Sequence, residues 1–382
     1  MKGCGPFRGL APYAALLATA ALVLGVAAAH ADTVVATVPV GGGYPTLLAF
    51  DSANGDVYVT DYGHNGAGSN VTIISGSTDS VVGGVTVGPG PFGIAFDPAN
   101  GDLYVADAGS NSVSVINGSS NEVVATVAVG AYPNGVTFDS ANGEVYVAND
   151  GTDTVTVING SSNEVVATVA VGEYPVYSAF DPVNGDVYVA NGGSNSVSVI
   201  NGSSNEVVTT MFVERTPVYA VFDPDTGDVY VLNNVQDTIS VIDGSSNKVV
   251  ASIPTGSGPV AAAVDPRNGE IYVAISLNNG KGTMISAFSA ATGSAVGNVT
   301  VGMDPFGIVF DPANGDLLVA NFHSSSVSVI APTQAASSSS PTSSAQSSGL
   351  SVDASAAMVA VVAVVEVVAL AIGGRRAGVR RA

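Results

Sequence analysis

One ten-residue pattern recurs seven times in this chain and constrains its fold more than any other feature. It reads Phe-Asp-x-x-(Asn/Thr)-Gly-(Asp/Glu)-x-Tyr-Val, and its Asp falls at Asp51, Asp97, Asp139, Asp181, Asp223, Asp265 and Asp311. The intervals are 46, 42, 42, 42, 42 and 46 residues. Val264 replaces the Phe in one copy and Leu318 the Tyr in another. A fixed period of this size marks a repeat architecture, in which each unit buries its apolar surface only against its neighbours.

The third repeat shows how a unit parses. Alternation of β-formers and turn residues predicts strand a over 135–139, b over 144–149, c over 154–158 and d over 164–171. Asn142-Gly143 is the a–b hairpin turn, a dipeptide that favours positive φ. Asn159-Gly160-Ser161-Ser162-Asn163 joins c to d. Four short antiparallel strands per unit of 40–45 residues is the arithmetic of a propeller blade. The expected fold is therefore an all-β, seven-bladed β-propeller over 32–332. Closure supplies an internal check, because the seventh repeat ends without a strand d. The missing strand lies at the start, where 32–41 reads DTVVATVPVG against NEVVATVAVG at 121–130. The N-terminal strand is thus expected to complete the last blade. Pro39 fits an outermost strand, where no ladder N–H is required.

The repeat resembles the YVTN β-propeller repeat family of extracytoplasmic and archaeal surface-layer-like proteins. The name-giving tetrapeptide stands here in variant forms, Tyr58-Val59-Thr60-Asp61, Tyr146-Val147-Ala148-Asn149 and Tyr188-Val189-Ala190-Asn191. The resemblance covers 32–332 and implies the propeller fold and a binding or surface role. It carries no catalytic motif.

Both ends of the chain read as addresses. Lys2 and Arg8, an apolar stretch and Ala29-His30-Ala31 make 1–31 a signal peptide cleaved before Asp32. The single cysteine, Cys4, lies in that segment. The mature chain then has no thiol for disulfides, metal binding or nucleophilic attack. Residues 333–353 form a Ser/Thr/Pro-rich stalk, unable to bury a core. Residues 354–372 are a 19-residue apolar run, about the length that spans a bilayer as a helix. Glu366 within it reads as a tolerated carboxyl or a pairing site. Arg375, Arg376, Arg380 and Arg381 place the basic tail, 373–382, in the cytoplasm. The expected localisation is the cell membrane, single-pass, with the propeller outside.

Charge limits the partners. Between 32 and 332 there are four basic residues, Arg215, Lys248, Arg267 and Lys281, against 29 acidic ones, a net of 4 − 29 = −25. Such a surface repels phosphate backbones, so no nucleic-acid partner is expected. The sequence also calls for no catalytic residue and no cofactor. The Asp-x-x-Asn-Gly-Asp segments lack the ligand order of a calcium loop and read as Asx-capped turns. No Gly-x-Ser-x-Gly elbow sits between a strand and a helix.

The irregular loops are the remaining candidates. The four extra residues in the first and sixth repeats fall in b–c loops, 62–70 and 276–283. With the seventh, these loops belong to contiguous blades on one face. They carry Tyr62, His64, Asn278, Asn279, Lys281, Phe322 and His323 as candidate ligand-binding residues, with His64 and His323 the only candidate metal ligands. The concave alternative is the channel mouth near Tyr132, Tyr174 and Tyr177. Sequons at Asn70, Asn117, Asn159, Asn201 and Asn298 are candidate glycosylation sites, though Asn-Gly-Ser is equally good turn chemistry. The functional expectation is a cell-surface-anchored binding, adhesion or envelope-layer module for a protein or glycan ligand. The alternative is an extracytoplasmic propeller enzyme, lactonase- or lyase-like, which requires a His/Glu/Arg cluster at the channel mouth.

Overall fold

The computed structural model describes residues 32–332, apart from 42 and 278. The expected signal peptide, stalk, membrane helix and basic tail all lie outside the described residues. Among the described residues no helix is long and apolar enough to cross a membrane. Their only helical segments are the 3₁₀ turns His64–Gly66 and Asp150–Thr152.

Seven four-stranded antiparallel sheets form the ring. Strand β1 (Thr33–Pro39) comes first, followed by blade one: β2 (Pro45–Asp51), β3 (Asp56–Asp61), β4 (Asn70–Ser75) and β5 (Ser80–Thr86). Strands β6–β25 build five more blades over 91–128, 133–170, 175–212, 217–254 and 259–300. Blade seven holds β26 (Pro305–Phe310), β27 (Leu317–Asn321) and β28 (Ser326–Ala331), and β1 completes it in the order β1-β28-β27-β26. Register runs from Thr33 opposite Ala331 to Pro39 opposite Ser326. Val38 and Val40 then pack with Val327 and Val329 of blade seven and Ile74 of blade one.

Strand limits differ slightly from those read in sequence. In the third repeat the inner strand is Pro133–Asp139, because Pro133 already pairs with Asn149 before a register shift ahead of Val136. Strand c extends through Asn159, and strand d stops at Ala170. The predicted turn is present, with Gly143 at φ +76°. Strand b of each blade is almost wholly buried, and the outer strand alternates or is exposed. Each outer strand also carries a register shift against strand c, a bulge that spoils an otherwise open edge for pairing with another molecule.

The repeated pattern works as an inter-blade latch. Asp51 Oδ1 accepts the Ala53 N–H at 2.8 Å, and Asn54 Oδ1 accepts the Asp56 N–H at 2.8 Å, which fixes the a–b turn. The same Asp-capped geometry recurs at Asp97, Asp139, Asp181, Asp223, Asp265 and Asp311. The motif tyrosine then reaches the c–d turn of the next blade. Tyr58 Oη bonds Asn121 Oδ1 at 2.7 Å, Tyr146 bonds Asn205 at 2.7 Å and Tyr188 bonds Asn247 at 2.6 Å. All six motif tyrosines, Tyr58, Tyr104, Tyr146, Tyr188, Tyr230 and Tyr272, are fully buried, and burial pushes the Tyr104 phenol up to about 12, so it stays a neutral donor. At the seam, Tyr272 lies 3.2 Å from Asp32 Oδ2, and Asp32 holds the repeat position of Asn121. Where Leu318 replaces the tyrosine, Asn314 Nδ2 alone bonds the Gly76 carbonyl, at 3.3 Å. Between blades six and seven Arg267 adds a bridge: it pairs with Asp265 at 2.7 Å, covers the Phe310 ring at 4.9 Å and bonds the Gly315 carbonyl.

Two predictions follow from this packing. Removal of 32–41 leaves the outer edge of β28 unpaired and strips Val38 and Val40 from the core. The shortened chain should melt well below the full chain or aggregate; equal melting temperatures would show that β1 does not close the ring. The second concerns the last residue of strand b. Four blades place Asn there and bond it to a strand-c hydroxyl, as Asn149 does to Thr156 at 2.9 Å. Blade two places Asp107, fully buried, accepting from Ser114 Oγ at 2.6 Å. Burial pushes this carboxyl up to about 6, against the opposing hydrogen bonds. Its folded value is raised, so its stabilising contribution is full below the unfolded value near 4 and is lost as pH rises through about 6. Asp107→Asn should therefore stabilise the propeller at pH 7, by on the order of 2 kcal/mol, and change little at pH 4. Urea unfolding at the two pH values measures this.

Candidate functional site

The b–c loops and d–a turns share one face of the ring, and a connected set of rings covers one sector of it. Tyr44 is the hub. Its ring meets His64 at 5.7 Å, Phe322 at 5.0 Å and His323 at 6.1 Å between centroids, all edge-to-face. Phe322 continues to Phe306 at 5.8 Å, Phe306 to Phe92 at 5.5 Å, and Phe92 to Tyr62 at 5.7 Å. All but the tilted Phe322–Phe306 pair, at 35°, are edge-to-face, an arrangement that holds ring orientation beyond simple burial. The rings come from three adjoining blades, seven, one and two.

His323 is fixed by its neighbours. Its Nδ1 lies 2.8 Å from Asp304 Oδ2 and 3.1 Å from the Gly280 carbonyl. Both partners accept, so the imidazole donates from Nδ1. Asp304 is itself buried; it accepts from the Ser276 hydroxyl, and its backbone bonds Gly282 and Phe322. The sixth blade's long b–c loop thus wraps the histidine of the seventh. Gly280 is required here twice over. Its φ is +65°, and a Cβ would come within 3.0 Å of His323 Cε1.

The structure brings four of the expected residues, Tyr62, His64, Phe322 and His323, into this connected set. Asn279 and Lys281 sit exposed on the loop, joined to each other by the Lys281 N–H and Asn279 Oδ1 at 3.1 Å. Asn278 lies outside the described residues. Among the described residues no group of three His, Cys, Asp or Glu is arranged to hold a metal ion. Of the sequons, Asn70 donates to Asp61 Oδ2 at 2.8 Å, and Asn117, Asn159 and Asn201 accept backbone N–H bonds in their own turns. Asn298 is exposed on an outer strand.

Sequence reasoning missed Tyr44, Phe92, Phe306 and Asp304. A signal for them existed. Pro91-Phe92-Gly93-Ile94 and Pro305-Phe306-Gly307-Ile308 are the same tetrapeptide at the start of two inner strands, and Tyr44 occupies the repeat position of Tyr132 and Tyr174.

Phe92 and Phe306 also line a cavity of about 250 Å³ at this mouth of the channel, with Leu47, Val176, Val218 and Val260. Its floor is the pair Tyr177 and Tyr219, stacked at 4.3 Å with 13° between planes. The same two rings roof a wider space of about 470 Å³ on the opposite side, lined by Val136, Ala179 and Phe222. Burial raises both phenols, Tyr219 most strongly, so the plug is uncharged. Tyr177 therefore belongs to the channel, whereas Tyr132 and Tyr174 stand exposed on the rim.

No protein-family model matches the chain, and no curated protein matches it. Among solved structures, hydrazine synthase of Kuenenia stuttgartiensis is similar, with a TM-score of 0.67 and 21% identity over 77% of this chain and 96% of that one. At that identity the likeness shows the propeller fold alone.

The glycine at 280 yields a direct test. Gly280→Ala should destabilise the chain by about 1 kcal/mol through its positive φ and shift the imidazole resonances of His323. Those of His64, which does not touch Gly280, should stay in place. Unchanged His323 resonances would dissolve the link between the two loops.

Proposed function

We propose that this protein is an extracytoplasmic binding module, held at the cell surface by its C-terminal apolar segment, that takes a protein or glycan ligand on the b–c loop face. One observation carries the reading: the ring series from Tyr44 through Phe322, Phe306 and Phe92 to Tyr62, which leads from the two histidines to an apolar cavity. Concave apolar surface with a few oriented polar groups is the usual form of a ligand site. Here the polar group is the His323 imidazole, oriented by buried Asp304. The likeness of the repeat to the YVTN surface proteins supports the same reading, as do the signal-like N-terminus and the Ser-rich stretch before the apolar run.

A glycan array probed with the full chain tests it. Tyr44→Ala and Phe322→Ala should each weaken every specific hit by about tenfold or more, as removal of a central aromatic anchor does. Ser119→Ala, in a c–d turn on the opposite face, should leave them unchanged. Equal affinity across the three variants would move the site elsewhere. Protease added to intact cells should release a soluble fragment ending in the stalk, whereas release of intact protein by high salt would contradict the anchor.

A further inference from the structure

Two tyrosines outside the Tyr44 sector stand exposed on the same face. Tyr132 and Tyr174 hold the same d–a position in consecutive repeats, each followed by the proline that opens an inner strand. Both have φ of +51°. Positive φ belongs to this repeat position in every blade: glycine fills it at Gly90 and Gly258, with φ of +65° and +73°, and Tyr44, Thr216 and Asp304 adopt it with φ of +56°, +57° and +58°. A tyrosine adopts it against its own preference.

The conformation is held in place. The Tyr132 N–H donates to Asn111 Oδ1 at 3.0 Å, and the Tyr174 N–H donates to Asp153 Oδ1 at 2.9 Å. Each ring packs against a glycine of its own blade's b–c loop. A Cβ on Gly151 would come within 2.8 Å of Tyr132 Cδ2, and one on Gly193 within 2.3 Å of Tyr174 Cδ2. Neither glycine has positive φ, so the close approach of the ring is what the missing side chain serves. The rings are nevertheless 65% and 59% exposed. They are seated on one side and open on the other.

We infer that Tyr132 and Tyr174 are paired stacking platforms for an uncharged polysaccharide, which narrows the ligand class of the binding reading above and rests on it. Three features select this chemistry. First, among the described residues neither ring has an aromatic neighbour, so each offers a single face rather than the cage that captures an alkylammonium. A pyranose ring presents such a flat apolar face. Second, the segments bonded to the platforms carry acidic residues: the Asp150 N–H bonds the Tyr132 carbonyl, Asp153 Oδ1 accepts the Tyr174 N–H, and Glu173 precedes Tyr174, a local charge that repels an anionic polymer. Third, the platforms repeat with the blade, and a polymer of identical units can engage both at once.

Affinity electrophoresis of the full chain tests the assignment. The gels contain β-glucan, xylan, galactomannan or dextran, with polygalacturonate as the anionic control and poly-L-proline as the peptide competitor. Retardation is expected in at least one neutral gel and not in polygalacturonate. Tyr132→Ala and Tyr174→Ala should each weaken it by about fivefold to tenfold, and the double variant further. Tyr132→Phe and Tyr174→Phe should retain it, because the ring and not the hydroxyl does the stacking. No retardation by any neutral polysaccharide overturns the proposal, as does release by poly-L-proline or indifference to both alanine variants. Phe322→Ala separates the two readings. Retardation lost there but kept without Tyr132 and Tyr174 sinks the platforms and leaves the loop-sector site standing. The reverse pattern keeps the platforms and removes that site.

Discussion

A propeller exists only if its ring is closed, and here closure rests on one strand pair from opposite ends of the fold. β1 joins β28 by antiparallel hydrogen bonds and puts Val38 and Val40 into the core shared by blades seven and one. Without that pair a blade edge would stand open and the apolar faces on either side of the seam would lose cover. The chain order is thus one strand out of phase with the blade order. The polypeptide cannot finish its last blade until its first strand returns, which ties the seam to the completion of folding.

Between blades the same problem is solved seven times with small variations. The apolar faces of neighbouring blades interlock, as Tyr58 and Ile73 do with Leu103 and Ile116. The buried tyrosine then carries a polar tip to the next blade's c–d turn, where its hydroxyl finds an acceptor. A phenol suits this position because its ring fills a large buried volume while its single donor remains satisfied. The Asx-capped turns bring that acceptor into place. The pattern is therefore structural over most of its length, and its repetition says little about ligands.

Function has to be sought where the repeat is broken. Among the described residues, the longer b–c loops of blades one and six create no new secondary structure beyond one 3₁₀ turn. They supply the wall that orients His323 and the loop that carries His64. A rigid scaffold lets such loops vary without cost to the core, which is why irregularity and binding tend to coincide. The exposed tyrosines of blades three and four are a different case. They sit at regular positions with the backbone conformation of the repeat, and their exposure and seating glycines set them apart, not loop length.

Much of this was legible in the chain itself. The seven spaced copies of the pattern, the four turn signals per unit and the displaced copy at 32–41 were enough for the fold, the blade count and the closing strand, because local turn chemistry and strand period act within a single repeat. The sector bearing Tyr62, His64, Phe322 and His323 was also readable, from the two longer b–c loops, the placement of the two histidines and the contiguity of blades six, seven and one. Tyr44, Phe92, Phe306 and Asp304 were not singled out, for they lie at ordinary repeat positions in segments remote from the loops they meet. Only the curvature of the ring brings a d–a turn of one blade against the b–c loop of another. The stacked plug of Tyr177 and Tyr219, the seating of Tyr132 on Gly151 and the Asp304–His323 pair likewise depend on distances between separate segments. Periodicity fixes which residues face inward within a blade; packing between blades decides which of them touch.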